Sequence, residues 1–180
     1  MGWHASDTHG LLFDDCRVPE DHLLGTRGQG FRQFMSILDD GRIAIAALAV
    51  GVLQACLEET TAYAKDRTSF GQPIGSYQAV AFRIADIEVM AEAARLLTYK
   101  AAWLKDTGQP YRHAAARAKL YATESAVSAT RIATQVFGGA GYLDDTLVAR
   151  HYRDAKVLEI GEGTSEIQRM LIARGLGLEV

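Results

Sequence analysis

The 180-residue sequence predicts an all-α fold, an antiparallel up-and-down four-helix bundle, preceded by a short remnant of a β-domain. Three observations predict it. Apolar residues from Phe31 onward recur at helical offsets of i, i+3, i+4 and i+7. Those stripes are long and joined by short connections containing Gly, Pro or polar residues, as a bundle requires. Before residue 27 the pattern is short and strand-like, so residues 1–26 read as the tail of a β-domain and 27–180 as the helical-bundle domain.

Between Gly10 and Val18, the residues Leu11, Phe13, Cys16 and Val18 fit one strand ended by Pro19. A lone strand buries almost nothing, which makes it the last piece of a larger sheet. After Gly28-Gln29-Gly30, Phe31, Phe34, Met35 and Leu38, then Ile45, Leu48, Ala49, Val52, Leu53 and Cys56, predict one long helix bent near Gly41. The loop from Asp66 to Pro73 breaks it. Val80, Ile84, Ile87, Ala91, Ala94, Leu97, Ala101 and Leu104 mark a second helix that Thr107-Gly108-Gln109-Pro110 ends. A third, alanine-rich helix begins near His113 and stops at Gly138-Gly139-Ala140-Gly141. Two shorter helices are expected, one before Lys156 and one after Thr164, a good N-cap.

Composition narrows the function. Hydrophobic residues make up 48% and charged residues 23%, the balance of a globular core, and a net charge of −3 offers no basic surplus for nucleic acid. Cys16 and Cys56 have no metal-ligand spacing and form no disulfide framework, so no metal is expected and a reducing, cytoplasmic setting is the expectation. No uninterrupted apolar run suggests a membrane span or signal peptide.

Four segments carry candidate chemistry. In Ile160-Gly161-Glu162-Gly163-Thr164-Ser165-Glu166-Ile167 two acids sit at a helix start, where complementing the helix dipole is the ordinary role. The glycines flanking Glu162 point elsewhere, because they free the backbone for close approach by another molecule. Arg67-Thr68-Ser69-Phe70-Gly71 offers a guanidinium and hydroxyls to a phosphate, or is simply a solvated turn. Gln135-Val136-Phe137-Gly138-Gly139 admits a nucleotide or caps a helix, and lacks the strand-turn-helix setting of a dinucleotide fingerprint. Asp39-Asp40-Gly41-Arg42 places an acid and an Arg on one helix face, the spacing of an ordinary surface ion pair.

In this order, and with Arg17-Val18-Pro19, Leu23-Leu24-Gly25, Gly30-Phe31, Tyr77-Gln78-Ala79, Tyr152-Arg153-Asp154-Ala155-Lys156 and Gln168-Arg169, these segments resemble the acyl-CoA dehydrogenase family, most closely its short-chain and bacterial members. The resemblance implies FAD as cofactor, an acyl-CoA substrate and its α,β-dehydrogenation to the trans-2-enoyl-CoA. It further implies an electron-transfer flavoprotein or similar acceptor, and assembly as a dimer or tetramer. Glu162 would be the catalytic base, its backbone N–H polarising the thioester carbonyl with Gly163 near the substrate. Asp39 and Arg42 would line the acyl-CoA side. Arg67, Thr68, Ser69 and Phe70 would reach the FAD of a neighbouring subunit, joined by Gln135, Gly138 and Gly139, with Gln78, Thr164 and Glu166 in further FAD contact. Some family members carry the base at the position of Gly41, which has no side chain here. The family's middle β-domain lies outside all but the first 26 residues, so independent activity of this chain is not expected.

The chemistry demands such a site. A thioester α-proton is too weakly acidic for a solvated carboxylate, so water must be excluded and the enolate oxygen held by fixed donors. A flavin oxidase or monooxygenase of the same architecture and a non-catalytic assembly module are the competing readings.

Overall fold

A computed structural model describes all residues, 1–180, and shows five α-helices: α1 (Gly30–Asp66), α2 (Gln78–Asp106), α3 (Arg112–Phe137), α4 (Leu147–Ile160) and α5 (Ser165–Gly175). Helix α3 is the central element and packs against all four others. Alanine explains how. Ala46, Ala49, Ala91, Ala94, Ala101, Ala118, Ala122, Ala126, Ala129 and Ala133 form most of one core, and their small side chains let the helices approach closely. Leu53, Ile87, Val148 and Leu158 supply the larger volumes between them.

The stripes are only partly those the sequence marks. On α2, Ile87, Ala91, Ala94 and Ala101 are buried as predicted, and Thr98 joins them by donating its hydroxyl to the Ala94 carbonyl. On α1 the early apolar residues are not core, since Phe31 and Phe34 are 79% and 67% exposed. The first turns of α1 run past the ends of the helices that cover the rest of it, so periodicity there has no partner within the chain. By length and composition alone α1 is apolar enough to cross a membrane, but its buried residues face α2, α3 and α4.

The strand expected over residues 10–18 is not formed, and Leu11, Leu12 and Phe13 are exposed. Strand backbone needs a hydrogen-bonded neighbour, and no segment of this chain pairs with it. Residues 1–6 instead fold onto α4, with the Trp3 N–H donating to Asp154 Oδ1 at 2.6 Å. The loop after α1 is a small hairpin rather than irregular chain. Strand β1 (Thr68–Ser69) pairs antiparallel with β2 (Gln72–Pro73), and Phe70 and Gly71 turn the corner with φ of 51° and 83°. Two successive positive φ values make the tight turn that matches strand twist. Helix α4 continues through Lys156 to Ile160, further than predicted.

Candidate active site

Glu162 sits in the connection between α4 and α5, half-buried, with φ of 56°, and Gly163 follows at φ 95°. A non-glycine residue in the left-handed region costs on the order of 1 kcal/mol or more and persists where the surroundings enforce it. Here they do. The Glu162 carbonyl accepts from Gln168 Nε2 at 3.3 Å and from Arg42 Nε at 3.4 Å, and the Gly163 carbonyl accepts from Gln168 Nε2 at 2.9 Å and Lys119 Nζ at 2.7 Å.

This conformation turns the carboxylate away from α5 and onto α1. A Cβ added to Gly41 would overlap the Glu162 carboxyl group, so the glycine provides the space the acid occupies. The two acids therefore separate by role. Glu166 complements its own helix: its backbone N–H and then the Thr164 hydroxyl hold its carboxyl below the usual range. Thr164 stands at the N-cap of α5 as expected, although its hydroxyl makes no capping hydrogen bond to the helix backbone. Glu162 does no such work.

Beside Glu162, Asp39 is buried between two cations. Arg42 Nη1 pairs with its Oδ1, and Arg112 Nε with its Oδ2 at 2.8 Å. Burial lowers the Arg42 pKa from its ordinary value and Asp39 opposes that shift. This is not the surface pair that the sequence alone suggests. Next to it Tyr111 donates to Asp40 Oδ1 at 2.7 Å, with Lys105 3.1 Å from the same oxygen, which ties the α2–α3 connection to α1. The hydrogen bond to Asp40 pushes the Tyr111 pKa up to about 12.

The predicted site residues divide between two ends of the molecule. Asp39, Arg42, Glu162, Gly163, Thr164 and Glu166 gather where α1 begins. Arg67, Thr68, Ser69 and Phe70 are at the end of α1, and Tyr77, just before Gln78, donates to the Ser69 carbonyl at 2.8 Å. Gln135, Gly138 and Gly139 belong to this far end too, because Tyr63 stacks on Phe137 with ring centroids 4.0 Å apart. At 1.5 Å per residue, Asp39 and Arg67 are roughly 40 Å apart along α1.

The far-end set fits the diphosphate and ring system of a dinucleotide. Arg67 and Thr68 are exposed, Phe70 is 96% exposed, and added side chains at Gly138 and Gly139 would meet nothing. A cavity of ≈ 790 Å³ opens there, lined by Arg131, Gln135, Gly138, Tyr142 and Arg153 among others, whereas Glu162 lines none of the main cavities. Lys119 was not singled out from the sequence, and Gln168 was named there only within the resemblance and given no role. A signal existed for the first, as Lys119 interrupts the stripe Ala115, Ala118, Ala122, Ala126 and Ala129, where a charge has no reason to be unless it meets acceptors.

The structure is thus a helical bundle with an acid strained into place at one end and an open cavity that carries Arg131 and Arg153 at the other. Residues 28–177 match the family model for the acyl-CoA dehydrogenase C-terminal domain, and the chain belongs to the acyl-CoA dehydrogenase family. A probable acyl-CoA dehydrogenase of Bacillus subtilis, YngJ, is 53% identical over 176 residues, 98% of this chain and 46% of that protein. The structure of butyryl-CoA dehydrogenase from Megasphaera elsdenii superposes with a TM-score of 0.91 at 44% identity, covering 93% of this chain and 44% of that one. PigA, solved with FAD and proline, superposes with a TM-score of 0.89 at 37% identity, over 92% and 43%. The chain thus spans less than half the length of the relatives it matches.

Proposed function

We propose that this chain is the base-bearing C-terminal part of an FAD-dependent acyl-CoA dehydrogenase that oxidises a short acyl-CoA to the trans-2-enoyl-CoA, with an electron-transfer flavoprotein or similar acceptor and a cytoplasmic location. One observation carries the reading: Glu162 is held in a strained backbone so that its carboxylate leaves the helix it precedes and faces the glycine of α1. A dipole-complementing acid needs no such strain. Butyryl-CoA dehydrogenase among the similar structures supports the short chain.

In this reading Glu162 removes the α-proton as general base. Arg42 and Gln168 hold its carbonyl and so steady the backbone of the base, whose own N–H would polarise the thioester oxygen. Bound FAD supplies the acceptor for the β-hydrogen as hydride. Arg67, Thr68, Ser69 and Phe70, with Gln78, Gln135, Gly138 and Gly139, would hold a flavin dinucleotide other than the one that Glu162, Thr164 and Glu166 face. Asp39 and Arg42 would shape the acyl-CoA side through each other.

In the complete protein, Glu162→Gln should abolish flavin bleaching by acyl-CoA and leave FAD and acyl-CoA binding within about threefold of wild type. The amide keeps size and one acceptor but takes up no proton. Normal bleaching by this variant would overturn the assignment. Peroxide formation in air by the wild-type protein would favour an oxidase instead.

A further inference from the structure

We propose that Lys119 is a positioning residue for the base: its ammonium, buried in the bundle, ties together the carbonyls of Glu159 and Gly163 and thereby holds Glu162 in its left-handed backbone against α1. The proposal rests on the reading of Glu162 as the base.

Lys119 is fully buried on α3, and no carboxylate lies within ion-pairing distance of it. Its Nζ donates to the Glu159 carbonyl at 2.9 Å and to the Gly163 carbonyl at 2.7 Å. A buried ammonium without a counter-ion is costly, and an apolar residue would pack in the alanine stripe at far less expense. What the lysine adds is a bridge. Glu159 lies in the last turn of α4, whose free carbonyls and negative dipole end suit a cation. Gly163 lies on the other side of Glu162, so the two hydrogen bonds bracket the segment with two successive positive φ values. Gln168 supplies a second donor to the same Gly163 oxygen from α5, but it does not reach α4. Lys119 alone links the helix that enters the loop to the loop's far side.

Burial lowers the Lys119 pKa to about 8, opposed by Glu159 on α4, Glu124 on α3 and Glu162, and assisted by Arg42 on α1. Glu162 and Lys119 therefore feel one another's charge, although they make no direct ion pair.

The test uses the complete FAD-loaded protein with Lys119→Met and Lys119→Arg. The expected result for Met is a flavin-reduction rate at least 100-fold lower with acyl-CoA affinity changed less than threefold, and the Arg variant should recover at least tenfold. Hydrogen exchange of the peptide covering residues 159–166 should rise at least tenfold in the Met variant, with the α2 peptides unchanged. A Met variant within threefold of wild type in reduction, or exchange at 159–166 unaltered by the substitution, would overturn the proposal. If Glu162→Gln bleaches normally the base assignment fails instead, while the exchange data still decide whether Lys119 holds the loop.

Discussion

Asp39 has both carboxylate oxygens occupied by guanidinium groups, and one of these, on Arg42, is itself buried. Asp39→Asn would leave Arg42 desolvated and unpaired, a loss on the order of 3 kcal/mol, to be read in denaturant unfolding. Lys119 behaves in the opposite sense. Its pKa is about 8 in the fold against an ordinary 10.5, so between those values the unfolded chain binds more protons and stability rises with pH. From pH 7 to 9.5 the gain should be on the order of 2 kcal/mol, and Lys119→Met should flatten that rise in urea titrations. Glu162 was legible as a residue because of its glycine neighbours, but the strain that distinguishes it from Glu166 is a backbone angle imposed by Lys119, Gln168 and Arg42 from other elements.

At the scale of elements, α1 carries a glycine in its interior that costs the helix about 1 kcal/mol relative to alanine. Gly41→Ala should nevertheless fail to yield that gain, since the methyl group lands on the Glu162 carboxyl. The expectation is a flavin-reduction rate lowered at least tenfold in stopped-flow mixing, with α-helical circular dichroism unchanged. The hairpin that follows α1 presents Phe70 at its tip. Arg67→Ala there should weaken FAD retention at least tenfold by gel filtration, and the fraction that keeps flavin should still be bleached by acyl-CoA. Sequence periodicity located α1, α2 and α3 because each buries a long face, whereas the hairpin rests on two residue pairs and has no period to detect.

At the scale of the molecule, the proposed function has two surfaces roughly 40 Å apart, and on that reading each flavin would draw on two chains. Exposed Phe31, Phe34, Phe82, Val89 and Trp103 supply apolar surface for such an assembly. Co-assembly of Glu162→Gln with Arg67→Ala subunits should therefore restore bleaching to one site of two in each mixed pair. The Glu162→Gln parent alone should show less than one hundredth of wild-type activity, and the Arg67→Ala parent only what its retained flavin supports. Mixed assemblies no more active than the parents would show that Glu162 and Arg67 of one and the same chain serve one flavin. Sedimentation of the wild-type chain should find dimers or larger species, and a clean monomer at all accessible concentrations would contradict it.

The sequence by itself determined the helices, their order and their principal faces, because 3.6-residue periodicity and alanine content are local properties of Ala91, Ala94 and Ala101 or Ala129 and Ala133. It also marked Glu162, through the freedom of Gly161 and Gly163. Tertiary structure alone decided three things. It set Gly41 opposite the Glu162 carboxyl, 121 positions later in the chain. It converted Asp39 and Arg42 from a surface pair into a buried one by bringing Arg112 across from α3. And it assigned Lys119 to the carbonyls of Glu159 and Gly163, contacts that span more than 35 residues and leave no periodic trace. Through-space hydrogen bonds and burial depend on where the helices cross, and a helix's own pattern fixes which face it buries but not which partner that face meets.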